Sequence, residues 1–303
     1  MRFSIWIDPS RTWSEAKEMA QQCEALGYDG LYVADHFMDN LPVGEPTSTP
    51  YLEATAELAA LAAVTSTIEL GTLVASATYR HPAVMANWAA TLDQISGGRA
   101  VLGLGAGWQE NEHNYYGIEL GSISERVDRF GEYVEVVSSL LRNPSTTFDG
   151  EYYQLHDAPC DPHPVQSPLP ILLGVKGTKR TMAIAAKFAD RWNAWTSVDD
   201  FIGLSAVLDQ HCENVNRDPL SILRTTQAFT FLSTDEARLE KHRGGAPGRP
   251  VIVGTPNEVV EQIAQYRDAG CAELIIPGFT LGGYGQALET IQLFAEEVAP
   301  HLK

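Results

Sequence analysis

Short apolar runs recur along the chain, each followed by a longer stretch whose apolar positions fall at helical spacing. The runs at 2–7 (RFSIWI), 30–34 (GLYVA), 68–74 (IELGTLV) and 100–104 (AVLGL) read as the first four strands. Those at 171–174 (ILLG), 191–195 (RWNAW), 222–232 (ILRTTQAFTFL) and 273–277 (ELIIP) read as four more. Between them, Thr12–Glu15, Ser122–Glu125 and Thr255–Glu258 have capping-box spacing, and each starts an amphipathic segment. Gly27, Gly97 and Gly270 stand where helices should end. The remaining helices are predicted at 51–66, from His81–Pro82 to 95, at 178–189, 199–216 and 284–298. Residues 146–155 read as a hairpin turning at Asp149–Gly150, and the proline-rich 159–170 as an irregular crossing. The loop at 38–50 is too long for a simple connector, and the polar segment 233–250 reads as mobile.

Strand–helix alternation predicts a parallel sheet, either open and doubly wound or closed into a barrel. Eight repeats without a composition break favour an α/β fold of the (β/α)8 TIM-barrel kind, with insertions in the loops at the C-terminal strand ends. Residues 1–303 are read as one domain.

The formal charge of −18 excludes the basic stripes that nucleic acid or an anionic membrane requires. The N-terminus lacks the apolar core of a signal peptide, so a cytoplasmic location is expected. The four cysteines are far apart without a CxxC pair, and reduced, buried thiols are expected. Metal-ligand spacing, a GxSxG elbow and HExxH are all absent from the sequence.

In a barrel, chemistry gathers at the C-terminal strand ends. The fourth strand ends in Gly103, Gly105 and Gly107, followed by a loop with Trp108, Glu110, Asn111, Glu112 and His113. A dinucleotide fingerprint would be GxGxxG after the first strand, which this is not. Alternate glycines clear space for a flat or phosphorylated group, or only relieve crowding at a barrel rim. The segment Gly174–Arg180 gathers three cations at a strand-to-helix junction, where free N–H groups favour an anion; a plain solvated helix start is the other reading. Asp35–His36 follows the second strand, placing an acid–base candidate on the working face, although a structural histidine fits there too. Trp6, Phe37, Trp108 and Trp195 would line an apolar substrate pocket, unless they are ordinary core.

LYVADHF at 31–37, the block from 70 to 118, FDGEYYQL at 148–155, ADRWNAW at 189–195 and GTPNEVVEQI at 254–263 together resemble the luciferase-like flavin and deazaflavin oxidoreductases. The chain looks most like the branch that uses coenzyme F420, with FMN-dependent two-component monooxygenases as the alternative and a cofactor-binding barrel without turnover as the non-enzymatic one. The resemblance implies hydride transfer between deazaflavin C5 and a small, fairly apolar organic substrate, with His36 catalytic. It implies cofactor contacts from Asp35, Leu73, Val74, Ser76, Gly105, Gly107, Asn111 and Gly174, with Gly177, Thr178, Lys179 and Arg180 at the phosphate. A non-prolyl cis bond at Leu73–Val74 is implied as well. So are a homodimer and, for one direction of reaction, a separate reductase. Relatives that oxidise a sugar phosphate carry a Glu where this chain has Trp108; Glu110 or Glu112 could replace it.

Overall fold

The computed structural model describes residues 1–45, 47, 49–246 and 248–303; Pro46, Ser48 and Pro247, within the 38–50 loop and the 233–250 segment, lie outside it. Its strands are β1 (Arg2–Trp6), β2 (Gly30–Val33), β3 (Glu69–Thr72), β4 (Ala75–Ser76), β5 (Ala100–Gly105), β6 (Thr146–Asp149), β7 (Gln154–Ala158), β8 (Ile171–Gly174), β9 (Arg191–Trp195), β10 (Leu223–Gln227), β11 (Phe229–Leu232), β12 (Val251–Gly254) and β13 (Glu273–Pro277). Its helices are α1 (Trp13–Ala25), α2 (Ala54–Val64), α3 (Pro82–Ser96), α4 (Glu110–Tyr116), α5 (Ile123–Arg142), α6 (Arg180–Phe188), α7 (Val198–Asn214), α8 (Glu236–Glu240), α9 (Pro256–Asp268) and α10 (Tyr284–Glu297).

Hydrogen bonding runs β3-β2-β1-β13-β10-β9-β8-β5, and β5 pairs back onto β3. Every pairing in this circuit is parallel, so the eight strands close into a TIM barrel. All three expected capping boxes form, at α1, α5 and α9. β6 and β7 make the expected antiparallel hairpin.

Side chains alternate in and out along each strand. Trp192 points outward and is fully buried against Phe201 of α7, ring centroids 5.8 Å apart. The inward residues at the N-terminal strand ends are charged. Arg191 grips Glu69 with two bonds of 2.8 and 2.9 Å, Arg2 joins the same carboxylate, and Glu273 accepts from Ser4 beside Arg191. Burial pushes the Glu273 carboxyl above its ordinary range, although Arg191 opposes the shift. Above this network, Tyr32, Leu73, Val101, Leu172 and Ile275 form an apolar layer with Trp6 and Val74 packed against it. The closed, ionic end leaves the opposite mouth as the working face.

Four expectations need correction. The run at 222–232 is two strands: β10 stays in the barrel, whereas β11 leaves it after Ala228 and pairs in parallel with β12. Its aromatic and β-branched residues are continuous, so nothing in the pattern marks the break. The segment 233–250 carries α8. Residues 110–116 form a helix, capped by Gly117 in the left-handed region at φ 66°, where a loop was expected. The predicted helix at 178–189 begins only at Arg180. No helix among the described residues is long and apolar enough to cross a membrane.

Candidate active site

The floor of the mouth is built by the break between β3 and β4. The Leu73–Val74 peptide there is cis. Val74 is half-buried, and its methyls fill space that glycines leave. A Cβ on Gly105 would lie 2.6 Å from Val74 Cγ2, and one on Gly174 would lie 2.9 Å from Cγ1. A Cβ on Gly103 would fall 1.9 Å from the Thr72 carbonyl. Gly105 and Gly174 therefore seat Val74. Gly107, at φ +83°, passes close above Ser76, whose Oγ a Cβ would meet at 2.8 Å.

His36 follows β2. Its Nδ1 lies 2.8 Å from Oε1 of Glu112, a carboxylate with no exposed side-chain surface. Glu112 also accepts from the Phe37 N–H at 2.9 Å and from the Tyr79 hydroxyl. Burial works to raise its pKa, but the bond and charge of His36, with the Phe37 and Tyr79 bonds, outweigh it and hold the carboxyl below its ordinary value. Burial and the bond to Glu112 push the Tyr79 phenol up. With Nδ1–H donating to Glu112, Nε2 is the His36 atom left for chemistry.

Asp35 is 2% exposed. Its oxygens accept from both Arg80 nitrogens at 2.7 and 3.0 Å and from the Ser76 N–H at 2.9 Å, and Arg80 also reaches Glu53. The Asp35 side chain thus forms a buried ion pair that anchors the Ser76 backbone. Asn111 is buried in α4, with Nδ2 donating to the Asp39 carbonyl at 2.7 Å and Oδ1 buried without a partner among the described residues. His113 donates from Nδ1 to the Gln109 carbonyl, so its Nε2 accepts from Thr78, which in turn bonds Ser76 Oγ at 2.7 Å. That chain reaches Ser76 at the mouth.

The four expected pocket aromatics make separate ring contacts. Trp108 is 54% exposed and meets the His36 ring edge-on at 5.5 Å. Phe37 packs on Tyr79 and Tyr116 and lines a cleft of about 570 Å³ with Met38, Thr47, Thr49, Pro50 and Tyr115. Trp6 and Trp195 lie at the ends of β1 and β9, with centroids 6.0 Å apart. Phe229 and Phe279, which the sequence reading passed over, pack edge-on against Trp195 and Trp6 at 5.3 Å each. Trp6 Nε1 and Gln227 Oε1 are buried here without hydrogen-bond partners among the described residues.

Between Gly174 and Arg180 the chain is exposed from Lys176 onward. Lys176 pairs with Asp200 at 3.7 Å and Arg180 with Asp128, so Lys179 is the cation outside these pairs. Gly177 makes room for Thr181 Oγ1, and the Thr178 carbonyl accepts from His211.

The model of the luciferase-like monooxygenase family matches residues 1–246. The chain belongs to that family. It is accordingly an oxidoreductase. Among its relatives is an F420-dependent glucose-6-phosphate dehydrogenase of Amycolatopsis mediterranei, 28% identical over an alignment covering 94% of this chain and 93% of the relative. One from Microbacterium testaceum is 27% identical over 96% and 94%. Solved structures with the same fold include a coenzyme F420-dependent tetrahydromethanopterin reductase of Methanopyrus kandleri, at 21% identity and TM-score 0.83 over 100% of this chain and 99% of that one. An F420-dependent secondary alcohol dehydrogenase superposes at TM-score 0.85 with 19% identity over 100% and 99%. A monooxygenase from Streptomyces bottropensis superposes at 0.83 with 21% identity over 100% of each chain.

Proposed function

We propose that this family member is an F420-dependent oxidoreductase that moves a hydride to or from a small, fairly apolar organic substrate. The residues fit such a group. Val74 presents half-exposed methyls on a floor cleared by Gly105 and Gly174, which suits the face of a flat ring. The buried, unpartnered Trp6 N–H and Gln227 carbonyl suit a polar ring edge. Lys179 and the N–H groups opening α6 suit a phosphate.

When bound, F420 supplies a two-electron hydride donor or acceptor at C5. His36 Nε2 takes or returns the proton that accompanies the hydride at the substrate oxygen. Glu112 fixes the tautomer that leaves Nε2 free for this, and Trp108 covers the exposed edge of the imidazole. The observation that carries the reading is the pairing of His36 with a buried, ionised Glu112 beside the Val74 floor. A homodimer, with a separate reductase where the cofactor must arrive reduced, belongs to the same reading.

Titration of the purified protein with F420 and with FMN tests it. F420 should bind at least tenfold more tightly than FMN, and Lys179→Ala should weaken F420 binding several-fold without changing the melting temperature. Tight FMN binding without affinity for F420 would instead support the two-component monooxygenase.

A further inference from the structure

We infer that the mouth takes a substrate with a planar apolar body and a single carboxylate, the body lying against the open faces of the Trp6–Trp195–Phe229–Phe279 ring set and the carboxylate on the Arg249 guanidinium that sits over Trp195. This rests on the hydride-transfer reading of the mouth and narrows its substrate class.

The four rings make a closed circuit. Centroid distances are 6.0 Å from Trp6 to Trp195, 5.3 Å from Trp195 to Phe229, 6.0 Å from Phe229 to Phe279 and 5.3 Å from Phe279 back to Trp6. They come from four places in the chain: the end of β1, the end of β9, the start of β11 and the turn after β13. Core aromatics in this barrel, such as Trp192 and Phe3, have essentially no exposed surface. None of the four mouth rings is so enclosed, and Phe279 is 42% exposed. A circuit of partly open rings at the working end of a barrel offers faces and edges to a planar apolar guest.

The charge comes from Arg249, whose Cζ sits 4.7 Å from the centroid of the Trp195 ring. Acidic side chains outnumber basic ones 39 to 21, and most arginines near the surface hold a carboxylate, among them Arg142, Arg180, Arg224 and Arg243. Arg249 holds none among the described residues. Lys176, which donates to the Trp195 carbonyl, is paired with Asp200. A guanidinium stacked on an indole keeps its in-plane N–H groups directed outward, in the fork that grips a carboxylate by two bonds. Arg249 is the guanidinium on the ring set, and one guanidinium matches one negative charge; Arg126, also without a carboxylate among the described residues, lies on the Gly107 carbonyl instead. Beside Arg249 the ring circuit offers the buried Trp6 N–H as a donor, and a phosphate dianion would call for more donors than these two groups provide.

Calorimetric titration with 2-naphthoate and its neutral isostere 2-naphthamide, each with and without F420, tests the inference. Wild type should bind the acid at least tenfold more tightly than the amide. Arg249→Gln should bring the two within about twofold while leaving amide affinity in place, and Phe279→Ala should weaken both probes together. Equal affinities in wild type, an acid preference that survives Arg249→Gln, or failure of both probes to bind would each overturn the inference. F420 titration is read separately, so acid preference without F420 binding would remove the hydride-transfer reading and leave the carboxylate pocket standing.

Discussion

The imidazole Nδ1 of His36 lies 2.8 Å from Glu112 Oε1, and that carboxylate is sealed from solvent while accepting from the Phe37 N–H and the Tyr79 hydroxyl as well. A buried acid so satisfied holds one ring orientation and one tautomer. Glu112→Gln keeps the shape but removes the charge. Its kcat should fall about tenfold or more with KM little changed, whereas His36→Ala should cost about 10²–10⁴. The distinguishing readout is ¹⁵N NMR of the His36 ring. Wild type should show a single tautomer protonated at Nδ1 and Glu112→Gln a mixture; an unchanged ring spectrum would rule out the positioning role. Because the folded pKa of Glu112 is depressed, its contribution to stability is present above the unfolded value and is lost as pH falls through the folded one. The stability gap between wild type and Glu112→Gln should therefore narrow on acidification below about pH 4.5.

Asp35 and Arg80 form a buried pair with two bonds, and Asp35 also holds the Ser76 N–H. Removing one partner leaves a charge without compensation. Asp35→Ala should lose about 3–5 kcal/mol of stability by urea unfolding. A loss below about 1 kcal/mol would mean that Glu53 alone satisfies Arg80.

Two glycines make opposite predictions. Gly103→Ala would put a methyl 1.9 Å from a barrel carbonyl that cannot move aside, so it should destabilise by more than about 4 kcal/mol or prevent folding. Gly203 lies exposed within α7 with nothing near its missing Cβ. Gly203→Ala should stabilise by about 0.5–1 kcal/mol, seen as a raised urea midpoint.

Glu57 is 5% exposed on α2, and burial together with the nearby Glu53 raises its pKa from 4.5 to about 7. A raised folded value in an acid means stability is greatest below the unfolded pKa and declines as pH climbs to the folded one. Wild type should thus lose stability between about pH 4.5 and 7 relative to Glu57→Gln, by at most about 3 kcal/mol. Parallel pH dependences for the two proteins would show that Glu57 ionises freely.

The barrel was legible because its strands are covered on both faces and read as apolar runs between capped helices. Helix α4 was not, since seven mostly polar residues carry no apolar period, and with it went the link from Glu112 to His36. Glu112 stood in view only as one of two carboxylates beyond Trp108. Asp35 and Asn111 sit on the expected rim, but side-chain direction depends on Arg80 and on the Asp39 carbonyl, partners 45 and 72 positions away. Phe229 and Phe279 escaped notice because a pattern cannot tell a ring that faces a cavity from one that faces a helix. Arg249 had the same difficulty: its place over Trp195 follows from β11 leaving the barrel, a turn the continuous run at 222–232 conceals.

Val74 and the glycines around it share one fixed volume. A side chain added at 105 or 174 has to be matched by one removed at 74, so these positions can drift only as a set. Each single step between two workable combinations passes through a collision or a hole. The site's floor should therefore change in concerted jumps, while Trp108 and the rings of the mouth, bound by no such sum, are free to change one at a time and carry the chain from one substrate to another.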